Sequence, residues 1–219
     1  GEEAPRLIGP LEAEPAFARD GGYSVEDAIM PRQASTFREA RDAAQDIVGK
    51  NLENAATGMV ATVSRTNIGK MLSEKAVRKS VSPAVHSLAV ANVDTLFRIA
   101  EELETHHDKN NSPSIKEIHR FYAPMVSHGD VLVAKLTVKE FADPREGTKI
   151  YSVESMEIEK AARNWEASIS PGRERIPSPQ AAFIAKIRAL QSKVKAKSER
   201  FDSEGKLPPD EPRFMRAQG

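Results

Sequence analysis

The chain has 219 residues, no cysteine, and equal numbers of basic and acidic side chains, 32 lysines and arginines against 32 aspartates and glutamates. The zero formal charge excludes a global basic field for nucleic acid or an anionic membrane, so such a partner would need a local patch. The lack of cysteine excludes disulfides and thiolate metal sites, and no apolar run approaches the length of a membrane span. We therefore expect a soluble, cytoplasmic protein without membrane contact.

Residues 1–35 carry prolines and no sustained apolar period. Pro5, Pro10, Pro15 and Pro31 interrupt the segment. We interpret residues 1–35 as an extended arm or linker, which suggests a piece of a longer polypeptide.

Helical signals follow the arm. Ser35 or Thr36 is suited to N-cap a helix with Glu39 completing a capping box, and the helical spacing ends near Gly49. A β-branched run predicts a strand over residues 59–64, and a short helix is predicted over 66–76. Pro83 then opens a long predicted helix whose apolar stripe runs to Leu103.

The most informative block is residues 118–159, which contains three strand-like runs separated by turn signals. In the second run, Leu132, Ala134, Leu136 and Val138 form an apolar face that we expect to pack on the long helix. The opposite face carries Val131, Val133, Lys135, Thr137 and Lys139 and is amphipathic enough to line a shallow groove. Gly129-Asp130 and residues 142–148 supply the connections, which indicates an antiparallel meander.

Prolines and glycine loosen the pattern after residue 160. A basic helix is predicted over 179–197, and residues 205–219 form a Pro-rich end. The predicted fold is α+β, with N-terminal helices on one face of an antiparallel meander, a C-terminal basic helix and proline-rich arms. The predicted units are an arm over 1–35, a domain over 36–160 and an extension over 161–219.

Several blocks occur in an order that resembles a known domain family. They are FREARDAAQDIVGK, VATVSRTNIGKMLS, HSLAVANVDTLF, IHRFYAPM, VLVAKLTVKEF and KIYSVESMEIE. This order resembles a domain of large polyvalent proteins of phages and conjugative elements, grouped by fold with Barnase, EndoU, colicin E5/D and RelE-like ribonucleases. The resemblance covers residues 36–160. It implies a metal-independent endoribonuclease, a toxin or effector acting on RNA such as tRNA, delivered into a recipient or host cell and neutralised by an immunity or antitoxin protein.

Metal-free RNA cleavage requires a base for the 2′-hydroxyl, an acid for the leaving 5′-oxygen, and cations near the phosphate. Histidine suits the first two tasks, and lysine or arginine the third. The candidate catalytic residues are His119, Lys135, Thr137, His86, Tyr151 and Ser155. The candidate substrate-binding residues are Arg65, Lys70, Arg120 and Lys139.

Each candidate also has a structural interpretation. His119 is equally suited to a half-buried structural role, and His86 lies beside the apolar stripe of a helix. A phosphate-binding role for Lys135 requires that it face His119 across the sheet, and Tyr151 and Ser155 share a parity that allows them one face. His106 and His107 adjoin Asp108, but the sequence has no second spaced pair of possible metal ligands to complete a site, so we expect no metal. No glycine-rich phosphate loop follows a strand, so we expect no cofactor.

Two other functions stay open. The same groove could belong to a non-catalytic module that binds protein or nucleic acid. The chain could also be a structural domain that positions its neighbours in a longer polyprotein.

Overall fold

The computed structural model describes residues 22–142, 150–160 and 179–204. The helices in these ranges are α1 (Phe37–Ala43), α2 (Arg65–Met71), α3 (Glu74–Val77), α4 (Pro83–Ala91), α5 (Val93–Ile99) and α6 (Pro179–Glu204). The strands are β1 (Leu52–Glu53), β2 (Val60–Thr62), β3 (Glu101–His106), β4 (Ile115–Ser127), β5 (Asp130–Phe141) and β6 (Ile150–Lys160). A 3₁₀ turn, Ala44–Ile47, extends α1.

The strands form one six-stranded sheet in the order β1-β2-β6-β5-β4-β3. Strands β3 to β6 make an antiparallel meander, and β2 joins it by pairing parallel to β6. The predicted α+β class and the meander are confirmed. The β4–β5 turn places His128 and Gly129 at φ 52° and 80°, the backbone of a type I′ hairpin turn.

Local sequence explains the helix ends. Thr36 and Glu39 form the predicted capping box at the start of α1. Ser82 caps α4 and Pro83 occupies its first turn. The predicted long helix is instead two helices, because Asn92 leaves helical geometry and its side chain bonds the backbone of Arg32.

The meander has two faces that differ in composition. We call the first the core face; its centre is formed by Phe121, Ala123 and Met125 of β4 with Leu132, Ala134, Leu136 and Val138 of β5. Helices α2 to α5 pack on this side, and Phe97 of α5 meets Phe121 edge-to-face with centroids 5.2 Å apart. The even positions of β5, predicted to form an apolar face against the long helix, are buried on this side.

We call the opposite side the lysine face, because Lys135, Thr137 and Lys139 of β5 lie there beside Arg120 of β4. Helix α6 covers its other half. Phe183 of α6 packs near Tyr122, and Gln191 of α6 accepts a hydrogen bond from the Val131 backbone.

Three parts of the chain differ from expectation. Strand β3 includes Leu103, which the apolar stripe had assigned to a helix. The residues between 22 and 35, expected to be part of an extended arm, have no regular helix or strand but pack on the body, where Tyr23 is 1% exposed. Its hydroxyl donates to Glu101, and burial beside that carboxylate raises the pKa of Tyr23 well above its usual value.

The predicted helix at 179–197 is present and extends to residue 204.

Within the described ranges, no helix combines the length and apolar character needed to cross a bilayer.

Candidate functional site

His119 lies at the β3–β4–β5 end of the core face, with each ring nitrogen directed at a carboxylate. Its Nδ1 is 2.6 Å from Glu102 Oε1, and its Nε2 is 3.4 Å from Glu140 Oε2. The strand register produces this geometry, because β3 and β5 flank β4 on either side of His119. Thr105 Oγ1 donates to the same Glu102 oxygen over 2.7 Å and thereby holds the carboxylate in place.

Glu140 is the most deeply buried charged side chain of this group, with 1% exposure against 6% for His119. Lys116 Nζ lies 3.3 Å from Glu140 Oε1 and supplies part of the charge compensation that a buried carboxylate requires. Glu117, paired with Glu140 in the register, completes a group in which Glu117, His119 and Glu140 each offer a ligand atom within 4.8 Å of the others. This set could hold a metal ion.

A second polar group occupies the lysine face. Arg120 of β4 pairs with Thr137 of β5, and its Nη1 donates to the Thr137 hydroxyl. Lys135 and Lys139 lie two residues to either side of Thr137 and are half-buried. The same rows include Glu104 of β3 beside Arg120, and Glu157 of β6 beside Lys135.

The lysine face carries more basic than acidic side chains. Glu157 forms an ion pair of 2.7 Å with Lys79, which reaches the edge of the sheet from the α3–α4 connection. Four cations, Arg120, Lys135, Lys139 and Lys79, therefore lie among three carboxylates, Glu104, Glu157 and Glu159. An anionic ligand is favoured on this part of the sheet.

The two polar groups lie on opposite faces of the sheet. His119 pairs with Val138, whereas Lys135 pairs with Tyr122. Because alternate residues of a strand point to opposite sides, His119 and Lys135 do not face a common substrate. The condition that would have joined His119 to Lys135 in one phosphate site is therefore not met.

Strand β6 contains a register shift, so a uniform alternation does not run from Tyr151 to Ser155, and their shared face stays a prediction. Ser155 pairs with Thr137, but Tyr151 pairs with Glu140, and the shift lies between these pairs. Thr137 and Glu140 belong to opposite faces of β5. The side chains of Tyr151 and Ser155 lie outside the described ones.

His86 is a buried structural residue of α4, 0% exposed. Its Nε2 is 2.6 Å from the Met71 carbonyl oxygen, which can only accept, so Nε2 carries the proton. Its Nδ1 then accepts from the Ser80 hydroxyl over 2.7 Å. Burial lowers the pKa of His86, which favours this neutral form.

The other predicted residues are dispersed. Arg65 and Lys70 are exposed on α2, which packs on the core-face side of the sheet through an Asn67 bond to Val153. They are not brought to the lysine face.

Sequence reasoning missed the partners of His119. Glu102, Glu117 and Glu140 received no role, although Glu117 and His119 share a strand parity that places them on one face. A Glu-x-His pattern within a predicted strand was the available signal. The pattern His106, His107 and Asp108 is more conspicuous in the sequence, but its loop lacks a second pair of possible metal ligands.

Beside β3, an open depression of about 480 Å³ lies along the edge of the sheet. It is lined by Ala56, Thr57, Glu101, Glu102, Leu103, Glu104 and Thr105. Solvent therefore reaches the strand that carries Glu102.

Comparison with known proteins gives one family. The model of a family described as large polyvalent protein-associated domain 3 matches residues 32–151. No curated protein and no solved structure matches the chain.

Proposed function

Because the chain belongs to the large polyvalent protein-associated domain 3 family, we propose that it is an endoribonuclease-like domain that holds RNA on its lysine face and cleaves it without a metal ion. The resemblance to Barnase, EndoU, colicin E5/D and RelE-like ribonucleases motivates the activity. A toxin or effector acting on RNA such as tRNA would fit it, with a neutralising protein as partner.

One observation carries the proposal. Arg120, Lys135 and Lys139 surround the Thr137 hydroxyl on two neighbouring strands of the lysine face. A guanidinium binds phosphate oxygens through two parallel N–H donors, and ammonium groups add point charges. Donors held on a paired sheet need little rearrangement when charge develops on a phosphate, which is the condition for electrostatic catalysis.

The roles follow from the chemistry of each group. Arg120 and Lys139 hold the phosphodiester. The Glu157 carboxylate, which lies beside Lys135 on the same face, takes the proton of the attacking 2′-hydroxyl, and the Lys135 ammonium donates a proton to the leaving 5′-oxygen. Thr137 orients Arg120 through their hydrogen bond. Ser155, which pairs with Thr137 in the register, is a further candidate for contact with the reacting groups. His119 has no part in this proposal.

A second candidate is a non-catalytic module that binds RNA on the same face. The observation that favours it is the position of His119, the expected acid or base, on the opposite face of the sheet. Binding needs only the cations of the lysine face, whereas cleavage also needs proton transfer.

The experiment measures cleavage and binding on the same samples. Purified protein is incubated with total RNA in EDTA, with circular dichroism confirming the fold in that buffer, and fragment ends are analysed. We expect 2′,3′-cyclic phosphate ends from the wild type and fewer from Lys135→Gln and Thr137→Ala. Lys75→Gln is the control, because Lys75 is an exposed lysine of α3.

Binding is followed by fluorescence anisotropy of a single-stranded RNA at several salt concentrations. Each lysine that contacts a phosphate should contribute about 0.7 to the slope of log K against log [salt], so Lys139→Gln should lower the slope by that amount. Salt-dependent binding by folded protein with intact RNA would favour the binding module. If the folded protein shows no binding and no cleavage, both candidates are overturned. If cleavage is lost in folded His119→Gln, the chemistry belongs to the core face.

A further inference from the structure

We propose that Glu117, His119 and Glu140 form a binding site for a divalent transition metal ion, with zinc the best fit, and that Glu102 orients His119. This site lies on the core face, opposite the lysine face, and is independent of the proposed RNA chemistry.

The protonation of His119 provides the first argument. A carboxylate oxygen accepts, so the 2.6 Å contact with Glu102 places a proton on Nδ1. In the neutral ring, Nε2 then carries a lone pair that points at a second acceptor, Glu140 Oε2. Two acceptors at this separation require a proton or a cation between them, carried by the ring, by the Glu140 carboxyl or by a metal ion.

Distance favours the metal. The separation of Nε2 from Oε2 is 3.4 Å, longer than the roughly 2.7 to 2.9 Å of a charge-assisted hydrogen bond. Two ligand atoms bound to zinc at about 2.05 Å with a tetrahedral angle lie about 3.4 Å apart. The pair therefore has the spacing of two ligands of one zinc ion.

The proposed metal ligands are themselves held by hydrogen bonds or ion pairs with neighbouring side chains. Histidine ligands of metals commonly donate their other N–H to a carboxylate, as His119 Nδ1 does to Glu102. Glu140 divides its oxygens in the same way, since Oε1 lies near Lys116 and Oε2 faces His119. His119 is thus oriented by a group that would not itself bind the metal, and Glu140 keeps Oε2 for the metal.

Charge and ligand type select the ion. Glu102, Glu117 and Glu140 place three carboxylates around one histidine, against the ammonium of Lys116. One imidazole nitrogen with carboxylate oxygens suits zinc or manganese better than magnesium or calcium, which prefer oxygen alone. The depression along β3 gives solvent a path to Glu102 at the edge of this cluster.

The test measures metal binding directly on the full chain. Isothermal titration calorimetry with Zn²⁺ in a chelator-free buffer should give one site per chain, with weaker binding of Mn²⁺ and none of Mg²⁺ at the same concentration. Glu117→Gln and His119→Gln should each weaken zinc binding at least about 10-fold, and Glu102→Gln about 10- to 100-fold. Glu104→Gln is the matched control, because Glu104 lies on the same strand as Glu102 but on the lysine face.

A variant with the opposite sign separates binding from loss of fold. Lys116 is 58% exposed, and its ammonium repels a cation bound to Glu140, so Lys116→Gln should bind zinc more tightly, by several-fold. The proposal is overturned if the folded wild type shows no stoichiometric binding. It is also overturned if zinc binding survives in Glu117→Gln but is lost in His107→Gln, since the ion would then sit in the loop after β3.

Discussion

Replacing Ser80 with alanine should destabilise the fold by about 2 to 4 kcal/mol, because one hydroxyl satisfies two groups from different elements. The Ser80 Oγ accepts from the Ile158 backbone N–H of β6 over 3.0 Å and donates to His86 Nδ1 over 2.7 Å. His86 in turn donates from Nε2 to the Met71 carbonyl at the end of α2. These bonds join the α3–α4 connection, α4, α2 and β6.

The magnitude follows from counting the groups that lose a partner. Ser80→Ala leaves the Ile158 N–H and His86 Nδ1 without this oxygen, and each buried polar group left unsatisfied costs about 1 to 3 kcal/mol. Ser80 itself is half-buried, so water can replace part of the loss, which gives the lower half of the summed range.

Equilibrium urea unfolding measures the loss, and thermal unfolding should show a Tm lower by about 4 to 16 °C for a chain of this length. Ser114→Ala is the control, because Ser114 is exposed and its hydroxyl bonds the hydroxyl of Ser112, which lies only two residues away in the chain. A double-mutant cycle with His86→Ala should give a coupling energy of about 0.5 to 3 kcal/mol. A loss below about 0.5 kcal/mol in Ser80→Ala would refute the reasoning.

Three further predictions concern pH and local structure. The pKa of His86 is lowered in the fold, so the unfolded chain takes up a proton first as pH falls below about 6.5. The free energy of unfolding should therefore fall below this pH and level off below the lowered pKa. His86→Gln should remove this part of the pH dependence, measured by urea unfolding at several pH values. Asn54→Ala should cost about 2 to 5 kcal/mol in the same assay, with exposed Asn110→Ala near neutral, because the buried Asn54 amide donates to two backbone carbonyls at the end of α5. His128→Asn should raise stability by about 0.5 kcal/mol, since Asn-Gly is the preferred pair for this hairpin and His128 has φ 52°; an unchanged or lower Tm would contradict the turn argument.

Periodicity predicted the elements whose own residues determine them. The alternation of β5, the capping box of α1 and the apolar stripe of α6 all appear as expected. Strand β3 could not be found this way, because Glu101–His106 contains strong helix formers and adopts a strand through pairing with β4. The break at Asn92 likewise depends on a backbone 60 residues away.

The faces of the sheet were only half determined by sequence. Alternation correctly grouped Lys135, Thr137 and Lys139, but the face of His119 depends on the length of the β4–β5 turn. A two-residue turn pairs odd positions of β4 with even positions of β5, which places His119 beside Val138 and away from Lys135. A three-residue loop would have reversed that assignment, and the sequence around Gly129 was not specific enough to choose. The register shift within β6 could likewise not be predicted from the alternation of its residues.

Helix α6 lies outside the matched residues 32–151 and yet supplies one wall of the molecule. It buries Phe183, Ile187, Leu190 and Val194, and at about 1.5 to 3 kcal/mol for each buried side chain this contributes an upper limit of about 6 to 12 kcal/mol. That is as large as the whole stability of a typical domain. The same helix holds the N-terminal segment, through Lys193 to the Tyr23 carbonyl and Lys197 to Glu26. The residues that match the family are thus fewer than the residues that pack together, and a chain cut after β6 would expose an apolar surface prone to aggregation.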